Sequence, residues 1–176
     1  IYFKANMEHP GLYEVYRADL SDNTIDTMTD LNGMTDYSLS PDGKNLLLSH
    51  SKVNQPQELY IKPANETSAA KQITQSTSAD FNALPWAVPN IVAIESSHTD
   101  APIYARVYLP ENYDKTAPNK AVVFNHGAGY LQNAHMGWSG YFREYMFHSM
   151  LVQQGYVVLD MDYRASAGYG RDWRTA

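Results

Sequence analysis

Two segments near the C-terminus contain residue types that could support acyl-transfer chemistry. The first, His126-Gly127-Ala128-Gly129-Tyr130, follows the short apolar run Ala121–Asn125, which we predict to be a buried strand. Small residues at such a point let the backbone approach a substrate, and preorganised N–H groups there stabilise the oxyanion that develops during acyl transfer. We therefore predict an oxyanion loop at His126, Gly127 and Ala128, with the N–H of Gly127 or Ala128 as its donor. The alternative is a tight turn without a catalytic role.

The second segment, Tyr163-Arg164-Ala165-Ser166-Ala167-Gly168-Tyr169-Gly170, follows the predicted strand Tyr156–Asp162. Arg164 could hydrogen-bond to carbonyl groups and so hold the oxyanion loop, or it could meet a substrate carboxylate, and we favour the first role. Tyr130 could line a substrate pocket, although packing is the default role in a chain with 14 tyrosines. We expect Ser166 to serve a turn rather than act as a nucleophile.

Asp160 and Asp162 form a pair of carboxylates on the strand that precedes the second segment. Because they are two residues apart on a strand, their side chains lie on the same face. Paired carboxylates can perform acid–base catalysis, but we predict that these two cap strand ends and bind nearby loops.

Composition excludes several other classes of function. The chain has no cysteine, so it has no disulfide, thiolate metal ligand or cysteine nucleophile. Its six histidines show no metal-binding spacing, and no cofactor is implied. The net charge of −6 and the lack of any Lys/Arg run argue against nucleic-acid and membrane partners. The compartment is either exported (periplasmic or secreted) or cytoplasmic, and we favour an exported location.

Short strands and turns fill the first eighty residues. Turn chemistry is clearest at Ser40-Pro41-Asp42-Gly43, and strand-like runs recur at a spacing in the mid-forties. For example, Val15-Tyr16-Arg17-Ala18 falls about 44 residues before Leu59-Tyr60-Ile61-Lys62. A period of this length built from short strands is typical of a four-stranded propeller blade. The alternative is a plain antiparallel meander whose two halves look alike by chance.

The second half of the chain predicts a different architecture. Asp80–Pro89 indicates a crossing between domains, after which two strands form an antiparallel pair at Ile91–Glu95 and Ile103–Leu109. A helix is predicted at Tyr141–Gln154, with Ser139 as its cap, Gly155 just beyond its end, and an apolar stripe at Phe142, Tyr145, Met146 and Ser149. The strands on either side of this helix then form a right-handed βαβ unit with adjacent or near-adjacent parallel strands. No helix is visible after Gly170.

These segments resemble the prolyl oligopeptidase family of serine peptidases, which pair a β-propeller with an α/β-hydrolase domain. The match rests on the turn at residues 40–43, on His126-Gly127-Ala128-Gly129, and on residues 162–170, where Ala165 replaces a usual Gly. The resemblance implies a mixed fold, with antiparallel β-propeller blades at 1–80, a linker at 81–90, and the N-terminal part of an α/β-hydrolase domain at 91–176.

The resemblance also implies a function. The parent protein would be a serine peptidase that cleaves short peptides through an acyl-enzyme, and homo-oligomerisation is left open. Its nucleophile would sit in a Gly-x-Ser-x-Gly turn, followed by Asp and His, none of which is found before Ala176. We therefore expect this chain to hold the oxyanion loop, to lack the triad and to be inactive alone. A carboxylesterase and a non-catalytic propeller binding module are the alternatives.

Overall fold

The computed structural model describes residues 1–127 and 130–175, and it divides into two compact units. The first unit comprises Ile1–Ala83 together with Met136–Trp138, and the second comprises Leu84–His135 and Ser139–Ala176. The sequence did not predict that Met136–Trp138 belong to the first unit. Within that unit, the N–H of Met136 donates to the carbonyl of Gly11 at 2.8 Å.

Two antiparallel sheets make up most of the first unit. One sheet has three strands in sequence order: β1 (Tyr2–Ala5), β2 (Glu14–Asp19) and β3 (Thr24–Thr27). The other has four, again in sequence order: β4 (Met34–Leu39), β5 (Asn45–Lys52), β6 (Gln55–Pro63) and β7 (Lys71–Gln72). A four-residue helix, α1 (Ala79–Asn82), follows β7. These propeller-like meanders agree with the strands predicted from the sequence.

Local turn chemistry and alternation of side chains explain these strands. Gly43 adopts a φ of 71°, and its N–H closes the predicted turn on the carbonyl of Ser40 at 2.8 Å. In the strand that follows, Leu46 and Leu48 are fully buried while Leu47 between them is exposed, as the two-residue period of a strand requires. Val15 of β2 and Met28 pack in the same core as Leu46 and Leu48.

A hydrogen-bond motif recurs at the predicted spacing. In the first copy, the buried carboxylate of Glu14 accepts from the hydroxyl of Thr29, and that hydroxyl accepts from the N–H of Val15 at 2.9 Å. In the second copy, Glu58 accepts from the hydroxyl of Thr74 at 2.5 Å, and Thr74 accepts from the N–H of Leu59 at 2.7 Å. Glu14 also accepts the amides of residues 31 and 32, as Glu58 accepts that of residue 76. A chance meander would not repeat these bonds, so the two sheets are copies of one unit.

The second unit contains a four-stranded mixed sheet. Its strands are β8 (Asn90–Ile94), β9 (Ile103–Tyr108), β10 (Ala121–Asn125) and β11 (Val157–Asp162), in the order β10-β11-β9-β8. The β10 and β11 strands are adjacent and parallel, and the other two pairings are antiparallel. The helix α2 (Phe142–Gln153) lies between β10 and β11 in the chain, so the predicted βαβ unit is confirmed and its parallel strands are adjacent. The right-handed crossover stays a prediction.

The ends of α2 differ in how well the sequence predicted them. The N-cap is Tyr141, and Ser139 instead accepts the N–H of Tyr141 at 3.0 Å, so the prediction of Ser139 as the cap is wrong. At the other end, Gly155 adopts a φ of 84° and its N–H donates to the carbonyl of Val152 at 2.9 Å. The next amide, of Tyr156, donates to Leu151 at 3.0 Å, which completes a Schellman motif.

The buried face of α2 also differs from the predicted stripe. Tyr145 and Ser149 are buried as expected, but Phe142 is 37% exposed and His148 is buried instead. The His148 ring packs between the helix and the sheet, where its centroid lies 5.5 Å from that of Tyr108 and 5.2 Å from that of Phe124. Periodicity alone missed this because histidine counts as polar in a hydrophobic pattern.

Residues in the predicted linker pack on the same helix. The N–H of Ala87 donates to the hydroxyl of Ser149 at 3.2 Å, and Trp86 stacks on Tyr145 at 5.8 Å between ring centroids. The predicted domain boundaries at 1–80, 81–90 and 91–176 stay a prediction. A short helix that the sequence did not predict, α3 (Arg171–Arg174), follows Gly170. Within the described ranges, no helix has the length and apolar character needed to span a membrane.

Candidate active-site loop

The two segments singled out in the sequence leave the same edge of the sheet. Because β10 and β11 are adjacent and parallel, their carboxyl ends at Asn125 and Asp162 meet at that edge, which is where open α/β sheets bind ligands. The first loop starts at His126 and the second at Tyr163. They touch directly, since the N–H of Ala167 donates to the carbonyl of Leu131 at 2.9 Å.

The carboxylate of Asp162 connects the two loops. It is 0% exposed and accepts the backbone N–H groups of Asn133 at 2.7 Å and of Ala134 at 2.9 Å. From the second loop, the hydroxyl of Tyr169 donates to it at 2.6 Å. A buried carboxylate is tolerated only when its oxygens are paired, and these three donors meet that requirement.

Asp160 and Arg106 anchor the same stretch of the first loop. The side-chain amide of Asn133 donates to both oxygens of Asp160, at 2.9 and 3.1 Å. Arg106 lies opposite Asp160 in the β9–β11 register, and its Nε donates to the carbonyl of His135 at 2.8 Å. Burial raises the pKa of Asp160, while the Asn133 hydrogen bond and the charge of Arg106 oppose that rise. The prediction that Asp160 and Asp162 bind nearby loops is confirmed.

The side chain of His126 is held inside the protein at the start of the first loop. The residue is 4% exposed, and its Nε2 lies 3.0 Å from the Ser166 hydroxyl and 3.3 Å from Asp162 Oδ1. Its Nδ1 lies 2.9 Å from the carbonyl of Gly127, which can only accept, so Nδ1 carries a proton. Tyr163 stacks on the ring at 4.7 Å and donates its hydroxyl to the carbonyl of His126 at 3.0 Å. The buried imidazole therefore holds the start of the first loop through its contacts with Gly127, Ser166 and Tyr163.

The serine, histidine and aspartate in this cluster do not form a catalytic triad. In a triad, the serine and the carboxylate bind opposite nitrogens of the imidazole. Here Ser166 and Asp162 approach the same nitrogen, Nε2. Ser166 is also 1% exposed, and its N–H closes a turn on the carbonyl of Tyr163 at 3.0 Å. The expected turn role of Ser166 is confirmed.

Gly127, in contrast, is exposed. Within residues 1–127 and 130–175, its N–H has no hydrogen-bond acceptor. Its φ lies outside the left-handed region, and among the described residues a Cβ placed there would meet only the Tyr141 hydroxyl, at 3.8 Å. Neither the backbone conformation nor packing therefore requires glycine at this position. Ala128, the other predicted donor, lies outside the described residues.

Tyr130 and Arg164, the other two predicted residues, are both exposed. Tyr130 is 63% exposed with a φ of 62°, and the guanidinium of Arg174 lies 3.9 Å above its ring. Arg164 forms no hydrogen bond or ion pair with any residue in the described ranges. An open cavity of about 620 Å³ beside Tyr130 is also lined by Gly168, Arg171 and Arg174. The described part of the chain contains no cluster of His, Asp and Glu side chains that could hold a metal.

Sequence reasoning missed three members of the cluster: Arg106, Asn133 and Tyr169. One signal was available for Arg106, since an arginine between apolar residues of a strand needs a buried partner. Tyr169 lies in the second segment singled out above but was given no role there, and nothing in the sequence pointed to Asn133. The backbone also shows why a glycine is usual at position 165: Ala165 adopts a φ of 79°, in a region that favours glycine.

Comparisons with known proteins agree with this fold. Residues 1–57 match the family model described as the dipeptidyl peptidase IV (DPP IV) N-terminal region. The fold is similar to a crystal structure of dipeptidyl peptidase 4 from Porphyromonas gingivalis, with a TM-score of 0.80 and 16% sequence identity. That likeness covers 98% of this chain and 24% of the other, so this chain spans about a quarter of the matched structure's length. A search of curated proteins finds no match.

The two matches rest on different features. The family model matches only the first sheet and part of the second, through their sequence. The structural likeness extends over nearly the whole chain and, at this level of identity, establishes the fold alone. Together they confirm the resemblance to the prolyl oligopeptidase family, with dipeptidyl peptidases as the relatives that both findings name.

Proposed function

We propose that this chain supplies the oxyanion loop of a serine peptidase of the prolyl oligopeptidase type, with the nucleophile outside the chain. One observation carries the proposal: the N–H of Gly127 is exposed and without an acceptor among the described residues, while buried groups fix the loop on both sides of it. An oxyanion donor must be rigid before the substrate arrives, because reorganisation during the reaction would cancel its benefit. On this proposal, residues 91–176 are the N-terminal part of an α/β-hydrolase domain, preceded by a linker at 81–90.

The reaction follows from this assignment. A serine hydroxyl attacks the scissile carbonyl of a short peptide, and the carbonyl oxygen becomes an oxyanion. The N–H of Gly127, with that of Ala128 as the other candidate, donates to this oxygen. A base outside this chain takes the serine proton and passes it to the leaving amine as the C–N bond of the intermediate breaks, which leaves the acyl-enzyme. Water then attacks the ester carbonyl, releases the acid product and returns a proton to the serine. His126 supports the donor through its buried ring and does not itself touch the substrate.

The dipeptidyl peptidases among the matched proteins suggest the substrate class. We propose that the full-length protein removes short N-terminal segments from peptides with a free N-terminus. Three chromogenic substrates distinguish the cleavage modes: a dipeptide with a free N-terminus, its N-acetylated form, and a longer blocked peptide. Preferential turnover of the first supports dipeptidyl peptidase action.

The direct test is to label the full-length protein with a fluorophosphonate reagent and to map the labelled residue by mass spectrometry. We expect one labelled serine outside residues 1–176 and concurrent loss of peptide hydrolysis. Turnover of p-nitrophenyl esters without turnover of peptides would instead indicate a carboxylesterase. A protein that is neither labelled nor active would be a binding module, and the proposal would be abandoned.

A further inference from the structure

We propose that Asp162 is the positioning residue of the oxyanion loop, an inference that rests on the function proposed above. Asp162 does not contact the substrate. It acts on the position of Gly127 because it holds the end of the first loop against the second loop, and the second loop also holds His126 through Ser166 and Tyr163. This role differs from acid–base catalysis, since the side chain is buried and acts only through its hydrogen bonds to the two loops.

The two oxygens of Asp162 have different partners. Oδ1 accepts the N–H of Asn133 at 2.7 Å and lies 3.3 Å from Nε2 of His126. Oδ2 accepts the N–H of Ala134 at 2.9 Å and the hydroxyl of Tyr169 at 2.6 Å. His126 immediately precedes Gly127, and residues 133 and 134 end the loop. One buried group therefore holds the end of the loop and joins it to the second loop through Tyr169, while Ser166 and Tyr163 of that second loop hold the start of the first loop at His126.

The chemistry of these contacts requires a carboxylate. Both backbone N–H groups can only donate, so they need two acceptor oxygens. An asparagine of nearly the same shape keeps one oxygen and turns an NH₂ group toward donors on the other side. The NH₂ group would then face an N–H group of the loop, donor against donor, in a buried site. We expect the loop to shift away from this repulsive contact.

A shift of the loop acts on the reaction through distance. A useful donor lies about 2.7–3.1 Å from the oxyanion, and a displacement of about 1 Å can cost about 100-fold in rate. We expect Asp162→Asn to lower the acylation rate and kcat by roughly 10- to 100-fold and to change KM by less than about threefold. Such a split identifies a group that acts in the transition state rather than in substrate binding.

The experiment uses the full-length protein and four variants: Asp162→Asn, Tyr169→Phe, their combination, and Asp114→Asn. The last is a matched control, because Asp114 carries the same substitution in an exposed loop where it binds Thr116. The readouts are the second-order rate of fluorophosphonate labelling, kcat and KM for a peptide, and hydrogen exchange at the amides of residues 133 and 134.

The expected pattern is specific to positioning. Asp162→Asn should slow labelling and speed exchange at residues 133 and 134, and Tyr169→Phe should do both to a smaller degree. The combined variant should be little slower than Asp162→Asn, since the tyrosine acts through the aspartate. The Asp114→Asn control should match the wild type. If Asp162→Asn does not fold, Tyr169→Phe still tests the idea, with an expected loss of about threefold to tenfold on the same scale.

The outcomes separate this inference from the proposed function. Wild-type protein that is neither labelled nor active rejects the proposed function and the positioning role with it. Wild-type protein that is labelled normally, alongside Asp162→Asn and Tyr169→Phe variants labelled at the same rate, rejects the positioning role alone. Faster exchange at residues 133 and 134 with an unchanged labelling rate also rejects it, because the loop would then move without consequence.

Discussion

Replacement of Gly127 by alanine is the sharpest test of the oxyanion loop, because the fold should tolerate it. A Cβ at this position would lie 3.8 Å from the Tyr141 hydroxyl and within 4 Å of no other atom of residues 1–127 and 130–175, and the backbone is outside the left-handed region. In such a setting, alanine changes the free energy of unfolding by about 0.4–1 kcal/mol in the stabilising direction. Any loss of activity must then arise from the site.

The magnitude follows from the approach of the substrate to the Gly127 N–H. The scissile oxygen must come within about 3 Å of that nitrogen, and the new methyl group stands on the adjacent Cα. A displacement of about 1 Å costs about 100-fold, which corresponds to about 2.7 kcal/mol at 1.36 kcal/mol for each factor of ten. We expect a loss of this size in the labelling rate and in kcat.

The assay compares Gly127→Ala and Gly140→Ala in the full-length protein, with fluorophosphonate labelling, peptide hydrolysis and thermal unfolding measured on each. Gly140 is a matched control, since it is also exposed, has an ordinary φ and has no atom within 4 Å of its Cβ position. The control should keep full activity. A Gly127→Ala protein that is labelled at the wild-type rate would refute the proposed role of this N–H.

Three further predictions concern stability and ionisation. Thr29→Val should lower the free energy of unfolding by about 1–3 kcal/mol, because it leaves a buried carboxylate short of a donor, and Thr74→Val in the more exposed copy should cost less in urea unfolding. Burial lowers the pKa of His148 to about 4, so the unfolded state binds a proton first as the pH falls. The free energy of unfolding should therefore decrease as the pH falls from about 6.5 to 4, by at most about 1.4 kcal/mol per pH unit. His148→Phe should remove this part of the pH dependence. Burial raises the pKa of Asp160, so its contribution to stability should decline as pH rises through the folded-state value, and an NMR midpoint at or below 3.8 would contradict this account.

The sequence predicted the local structure well because local structure depends on near neighbours. Ala121–Asn125 is observed with the predicted bounds, and the turn at Gly43 and the end of α2 at Gly155 have the expected positive φ. The position of a helix end depends on more than residue type. Ser139 is a good cap by residue type, but the first helical turn begins two residues later, where Tyr141 is the N-cap.

The sequence by itself determined which segments are strands, that a unit of about 44 residues recurs, and that two glycine-containing loops follow parallel strands. These features are encoded in spacing and in residue type. Only the tertiary structure decided that Arg106, Asn133 and Tyr169 join Asp160 and Asp162 around the first loop. Asn133 lies 27 residues from Asp160 in the chain, and Arg106 lies 29 residues from its acceptor His135, so no periodic pattern records these contacts. They are selected because every buried charge must find its donors once the strands have assembled.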